Sequence, residues 1–290
     1  IDLTPRTRPA RQPLVLPDSG VLLTGFMPSL DPVEWPSLQL LSTGPSLGET
    51  VPISVQSLRV GQLRWRGAEL GALNLEATLE GDRVDAQFSL PWLRGRFQQE
   101  PLSLQEGMAE QADRRLNRQL AVAFLDLDGL PDMTDQWVDT APPTPDEALP
   151  QWPPLAVQVS EIYRTHNALG DLALVVDYDQ SDGWEFRDIS GDFLGIKWLP
   201  STRIGWRIAP EGQETSLSLA AELSDIGESL ALIGVAPLVE TRGGSLKADW
   251  RWQGGPADFS ATSIKGALDL QMASGSFTSA NAEAEGALRL

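Results

Sequence analysis

Cysteine is absent from these 290 residues, and histidine and lysine are nearly so. Without thiols there is no disulfide and no thiolate metal site. A single histidine, His166, cannot form an imidazole cluster around a metal. Lysine stands only at Lys197, Lys247 and Lys265, so arginine carries most of the positive charge. Twenty-two basic residues face 40 acidic ones, for a net charge of −18. A chain so acidic repels phosphate backbones, which excludes nucleic acid as a natural partner. Long apolar runs are missing too. No window approaches the roughly 18 uncharged apolar residues that a membrane-spanning helix needs. The opening "IDLTPRTRPARQP" has no apolar core of signal-peptide length.

What is present is a strict two-residue rhythm. "LNLEATLE" places Leu73, Leu75, Ala77 and Leu79 on one side and Asn74, Glu76, Thr78 and Glu80 on the other. "SLSLAAEL" does the same with Leu217, Leu219, Ala221 and Leu223, and "GALDLQM" with Leu268, Leu270 and Met272. In "LKADWRW", Leu246, Ala248, Trp250 and Trp252 oppose Lys247, Asp249, Arg251 and Gln253. Such alternation predicts strands with one apolar and one wet face, and it favours antiparallel over parallel sheet. Turn chemistry separates the strands, as in "EGDR" at 80–83 and "QGGP" at 253–256. One helix is expected over 225–233 of "SDIGESLALIG", with Asp225 as cap and Glu228 completing a capping box. A second is expected within Leu104–Leu120. Residues 140–154, "TAPPTPDEALPQWPP", hold six prolines and read as an extended connector.

This connector parts two similar halves. "LGALNLEATLEGD" from Leu70 and "LGDLALVVDYDQSDG" from Leu169 both run Leu-Gly-x-Leu-x-Leu into an acidic turn. The expected organisation is an extended lead-in over 1–20, a first β repeat unit over 21–139, the connector, and a second unit over 155–290.

Catalytic motifs are thin. "GPSLG" (Gly44–Gly48) has the spacing of a nucleophile elbow, but Pro45 and Pro52 oppose the strand and helix the elbow needs. His166, in "THN", reads as a turn residue. "DYDQSDG" (Asp177–Gly183) begins like a calcium loop, but the glycine comes one position late. A hairpin turn accounts for it. No phosphate loop or dinucleotide fingerprint appears. The reading is therefore of a protein that is not an enzyme and has no cofactor.

The order of the segments resembles a known family. "VLLTGFMPSLDPVEW" (Val21–Trp35), the repeated "LGALNLEA" and "LGDLALVV", and the terminal run "LSDIGESLALIG", "TRGGSLKADWRWQGGPADFSATSIKGALDLQMASGSF" and "EAEGALRL" are similar to the YhdP-type proteins of the AsmA-like superfamily in Gram-negative bacteria. The resemblance covers most of residues 20–290. It implies a fragment of a periplasmic protein held at the inner membrane by an N-terminal helix outside this chain. It also implies phospholipid as the partner, passed between inner and outer membranes, with both surfaces met by other parts of the protein. No catalytic residues belong to the family, so none carry over.

The fold expected is mainly β: a long, strongly curved antiparallel sheet forming an elongated hydrophobic groove, with one or two short helices. Leu73, Leu75, Leu79, Leu172, Leu174, Leu217, Leu219, Trp250, Trp252, Leu268, Leu270 and Met272 are expected to line it. Two other readings use the same residues. In a closed β-sandwich the apolar faces pack on each other. In a carbohydrate-active β protein the tryptophans stack on sugars beside paired carboxylates.

Overall fold

A computed structural model describes residues 19–31, 51–65, 68–101, 116–130, 154–179, 183–209, 212–224, 239–241, 243–260, 262–272 and 275–277. The chain divides into two units, Ile1–Glu147 and Ala148–Leu290. Both are built of strands; the described residues hold no α-helix, only short 3-10 turns at Leu127–Gly129 and Pro256–Asp258. The protein is mainly β, as the alternation requires. The helix expected over 225–233 and the connector residues 140–153 lie outside the described residues, as does Ser46.

The first unit orders its strands as they occur in sequence: β1 (Val21–Leu30), β2 (Ile53–Trp65), β3 (Ala68–Glu80), β4 (Arg83–Leu90), β5 (Leu93–Pro101) and β6 (Leu116–Asp126). Neighbours are antiparallel except β1 and β2, which run parallel. Their connection spans residues 31–52, long enough for the crossover that a parallel pair requires. The expected helix over Leu104–Leu120 is corrected at its C-terminal end, because Leu116–Leu120 belongs to β6. There the ladder with β5 (Pro101 opposite Leu116, Phe97 opposite Leu120) satisfies the backbone in the extended form.

In the second unit, β7 (Leu155–Arg164), β8 (Asn167–Asp179), β9 (Gly183–Phe193), β10 (Ile196–Ala209), β11 (Gly212–Leu223), β13 (Gly244–Gln253) and β14 (Lys265–Met272) form an antiparallel meander. The three-residue strands β12 (Val239–Thr241) and β15 (Gly275–Phe277) pair separately.

The repeated Leu-Gly-x-Leu-x-Leu motif has a common geometry in both units. Leu63 opposes Gly71 and Val60 opposes Leu73; likewise Ile162 opposes Gly170 and Val159 opposes Leu172. In each hairpin two residues of the first strand (Gly61 and Gln62, or Ser160 and Glu161) face one of the second, a β-bulge that turns the strand. The glycine explains itself at Gly170. Its φ is +118°, and an added Cβ would collide with the Asp192 carbonyl.

Within each unit the substantial contacts between strands are all between ladder neighbours. Among the described residues the one separate ladder, β12 with β15, is three residues long, too short to form a second layer over either sheet. The best buried cluster gathers Val60, Leu63, Leu73 and Leu90, with Met27, Leu75, Phe88 and Trp92 packed around it. Trp92 closes one end, its indole N–H donating to the Leu70 carbonyl at 3.0 Å.

Candidate functional site: an apolar sheet face

Register carries the alternation of single strands across each sheet. In the first unit Gly25, Leu58, Leu75, Phe88, Gly95 and Val122 form one row over six strands. The next row is Leu23, Val55, Ala77, Ala86, Phe97 and Leu120. Gly95 is bare because the Phe88 ring lies over it; a Cβ would stand 2.8 Å from that ring. A third row starts with Val21, Ile53, Leu79 and Val84 but ends in Gln99 and Arg118. Arg118 Nε donates to Gln99 Oε1 at 2.7 Å, and desolvation lowers its pKa from the ordinary arginine value.

The second unit has a longer row: Leu155, Val176, Phe186, Ile204, Leu217, Trp250 and Gly266, one from each of seven strands. Beside it run Tyr178, Trp184, Trp206, Thr215 and Trp252. A parallel row joins Ile162, Gly170, Phe193, Ile196, Leu223, Gly244 and Met272. Aromatic rings reinforce the face, with Tyr178 and Trp184 centred 4.9 Å apart. Two hydroxyls are fully buried. Thr202 Oγ1 donates to the Ala220 carbonyl at 2.9 Å and accepts from the Ala220 N–H at 3.0 Å, bridging a register shift in β10. Thr215 Oγ1 donates to the Gly254 carbonyl at 2.8 Å.

The twelve residues singled out from sequence fall into four environments. Leu73 is buried, and Leu75 and Leu79 are half-buried beside it. Leu172, Leu174, Leu217, Leu219 and Trp250 are half-buried in the second unit, with Leu217 and Trp250 in its seven-strand row. Leu268, Leu270 and Met272, on the outermost strand, are 56%, 43% and 46% exposed. Trp252 departs from an open lining. It is 5% exposed because Phe259 stands edge-on to it at 5.4 Å, and its indole N–H donates to the Gly255 carbonyl at 2.9 Å. The same Phe259 ring approaches Trp250 at 5.9 Å, so the turn after β13 folds over the tryptophan pair.

Sequence reasoning missed Val176, Phe186, Ile204 and Trp206, all on the same face. The signal was interrupted in β9 and β10, where register shifts and the positive φ of Asp188 break the period. The opposite face is wet and ion-paired. Arg96 binds Asp85 through two hydrogen bonds, the Nε–Oδ1 bond at 2.7 Å, which holds the carboxyl below its usual range. Lys197 donates to Glu222 at 2.9 Å, and that bond raises its pKa. His166 is exposed in the β7–β8 turn.

What these features define is a class: single-layer sheets with a continuous apolar face and a charged reverse, in which no helix of the described residues is long and apolar enough to cross a membrane. A family described as YhdP protein matches the chain over residues 6–290, and the chain belongs to that family. No curated protein and no solved structure matches it.

Proposed function

We propose that this YhdP-family chain carries phospholipid acyl chains along its apolar sheet faces, as part of a periplasmic protein that passes lipid between inner and outer membranes. The tether in this reading is an N-terminal helix outside the chain, and the two units act as repeats of one lipid-bearing element. The observation that carries the reading is the seven-strand row from Leu155 to Gly266, with no second layer over it among the described residues. Exposed apolar area of that extent is a binding surface or an aggregation hazard. A hydrocarbon tail suits it chemically. Each methylene removed from water contributes about 0.8 kcal/mol, with no dependence on orientation. Similar side chains recur along each strand, so a tail meets near-equal binding at successive positions and can slide. No bond is made or broken, and the function is not enzymatic.

Native mass spectrometry of the whole chain purified from Gram-negative cells tests this. Co-purifying phospholipid is expected, and Leu217→Glu, which puts a charge mid-row, should abolish it while circular dichroism stays that of a β protein. A lipid-free mass for the parent chain, or a Leu217→Glu chain that unfolds as a closed sandwich would, overturns it.

A further inference from the structure

The reverse, wet face of the second unit holds a depression of about 610 Å³. Its floor is made of small residues. Gly205 opposes Ser216 across the β10–β11 ladder, and a Cβ on Gly205 would stand 2.8 Å from Ser216 Oγ. Missing bulk at Gly205 therefore opens the hollow. Ser216 in turn opposes Arg251, and Arg251 directly opposes Lys265. Arg203 joins them one row away, opposite Ser218.

Like charges placed directly opposite on adjacent strands destabilise a sheet. Here the pairing occurs in a chain with a surplus of 18 negative charges, where acid partners abound. The other two lysines follow the usual rule: Lys197 bonds Glu222, and Lys247 opposes Asp269. Among the described residues, Arg203, Arg251 and Lys265 take part in none of the ion pairs. Two of the acids at the rim have other partners. Asp249 accepts from the Ser218 hydroxyl at 2.9 Å. Glu214 accepts from the Gln253 amide at 3.4 Å and lies 3.9 Å from Arg207. Glu185 bounds the far end of the row, three strands from Arg251 through Gly205 and Ser216.

We propose that this depression is an anion site that takes a phosphate group, bound by Arg251 and Lys265, with Arg203 and the Ser216 hydroxyl, turned from its long 3.5 Å bond to the Gly205 carbonyl, completing the ring of donors. An inorganic phosphate dianion answers both cations of the unfavourable pair at once and a lipid phosphodiester answers one, and in either the oxygens match the planar fork of an arginine. The site lies on the face opposite the apolar rows and stands or falls independently of lipid conduction.

Titration of the whole chain with inorganic phosphate tests it, against chloride at equal ionic strength. Fluorescence of Trp250 and Trp252, which flank Arg251, reports binding. Saturable phosphate binding is expected, weakened at least tenfold in Arg251→Gln/Lys265→Gln and unchanged in Lys197→Gln. A second arm uses vesicles of phosphatidylglycerol and of phosphatidylcholine. Binding of the anionic vesicles alone assigns the phosphate to a lipid headgroup; binding of inorganic phosphate assigns it to a free anion. Lys265→Glu guards against misfolding as an explanation. It replaces repulsion by an ion pair, so it should melt no lower than the parent at low salt and still bind no phosphate. No response to either probe, or equal binding by parent and double variant, overturns the site.

Discussion

Two strands of this protein carry nearly the same five residues, and the structure treats them oppositely. "GALNL" (Gly71–Leu75) opens the apolar part of β3, and "GALDL" (Gly266–Leu270) does so in β14. Leu73 is 9% exposed and Leu268 is 56% exposed. Both leucines point to the apolar face, and both glycines have positive φ, +95° and +148°. What differs is the company on either side. β3 has β2 and β4 as ladder neighbours, and Leu73 packs with Val60, Leu63 and Leu90. β14 has β13 alone. In a sheet without a second layer, cover comes sideways. Local sequence decides which face a side chain takes, and the number of flanking strands decides how dry it becomes.

That contrast can be broken most forcefully at its buried end. Leu73→Ala should cost about 2–5 kcal/mol in urea denaturation, because the cluster around it cannot close the hole. A cost below 1 kcal/mol would mean that lateral packing does not bury this position as described. The glycines give the next largest effect and reverse the order of the two strands. Gly266→Ala would drive a Cβ into the Asp249 carbonyl, whereas at Gly71 the nearest atom is a Pro91 ring carbon at 3.1 Å. Gly266→Ala should therefore lose about 1–3 kcal/mol and Gly71→Ala less, by the strain of a side chain at positive φ. Hydrogen exchange of the β13–β14 amides reads the difference locally.

Leu268→Ala sharpens the comparison from the exposed end. Its effect on stability should stay within about 0.5 kcal/mol, as for surface positions generally, while lipid capture falls. A large destabilisation would place a covering element over β14. The smallest effect belongs to the wet face. Because Arg96 lowers the Asp85 pKa in the folded state, that pair stabilises above the ordinary carboxylate range, and its contribution is lost as pH falls through the folded value. Arg96→Gln should flatten the acid limb of the stability–pH curve slightly, and high salt should do the same to the parent.

Much of the fold was legible in the sequence because a period of two is a backbone property. β3, β11, β13 and β14 each coincide with an alternating run, and the Leu-Gly-x-Leu-x-Leu repeat marks matching bulged hairpins. Less legible were the stretches where the period slips. β9 and β10 carry Trp184, Phe186, Ile204 and Trp206 on the apolar face, but the bulges around Asp188 and Thr202 hide the match. The parallel pairing of β1 with β2 depends on a connection whose path no local pattern encodes. The Leu116–Leu120 segment has helix-compatible spacing, and the free edge of β5 overrides it. As for the candidate site, alternation identified which residues share a side, including Leu217 and Trp250. It could not show that Phe259 folds over Trp252, because that contact is made by a turn.

The meander order has a kinetic side. From β2 to β5, and again from β7 to β11, each strand binds the one that follows it in the chain, across turns of a few residues. Closing such short loops costs little chain entropy, so hairpins can form early and serve as templates for the next ribbon. The step from β11 to β13 is different, since residues 224–243 must be spanned before Trp250 meets Leu217. Assembly in the second unit should therefore pause there, with the edge of β11 unpaired until the tryptophan ribbon arrives.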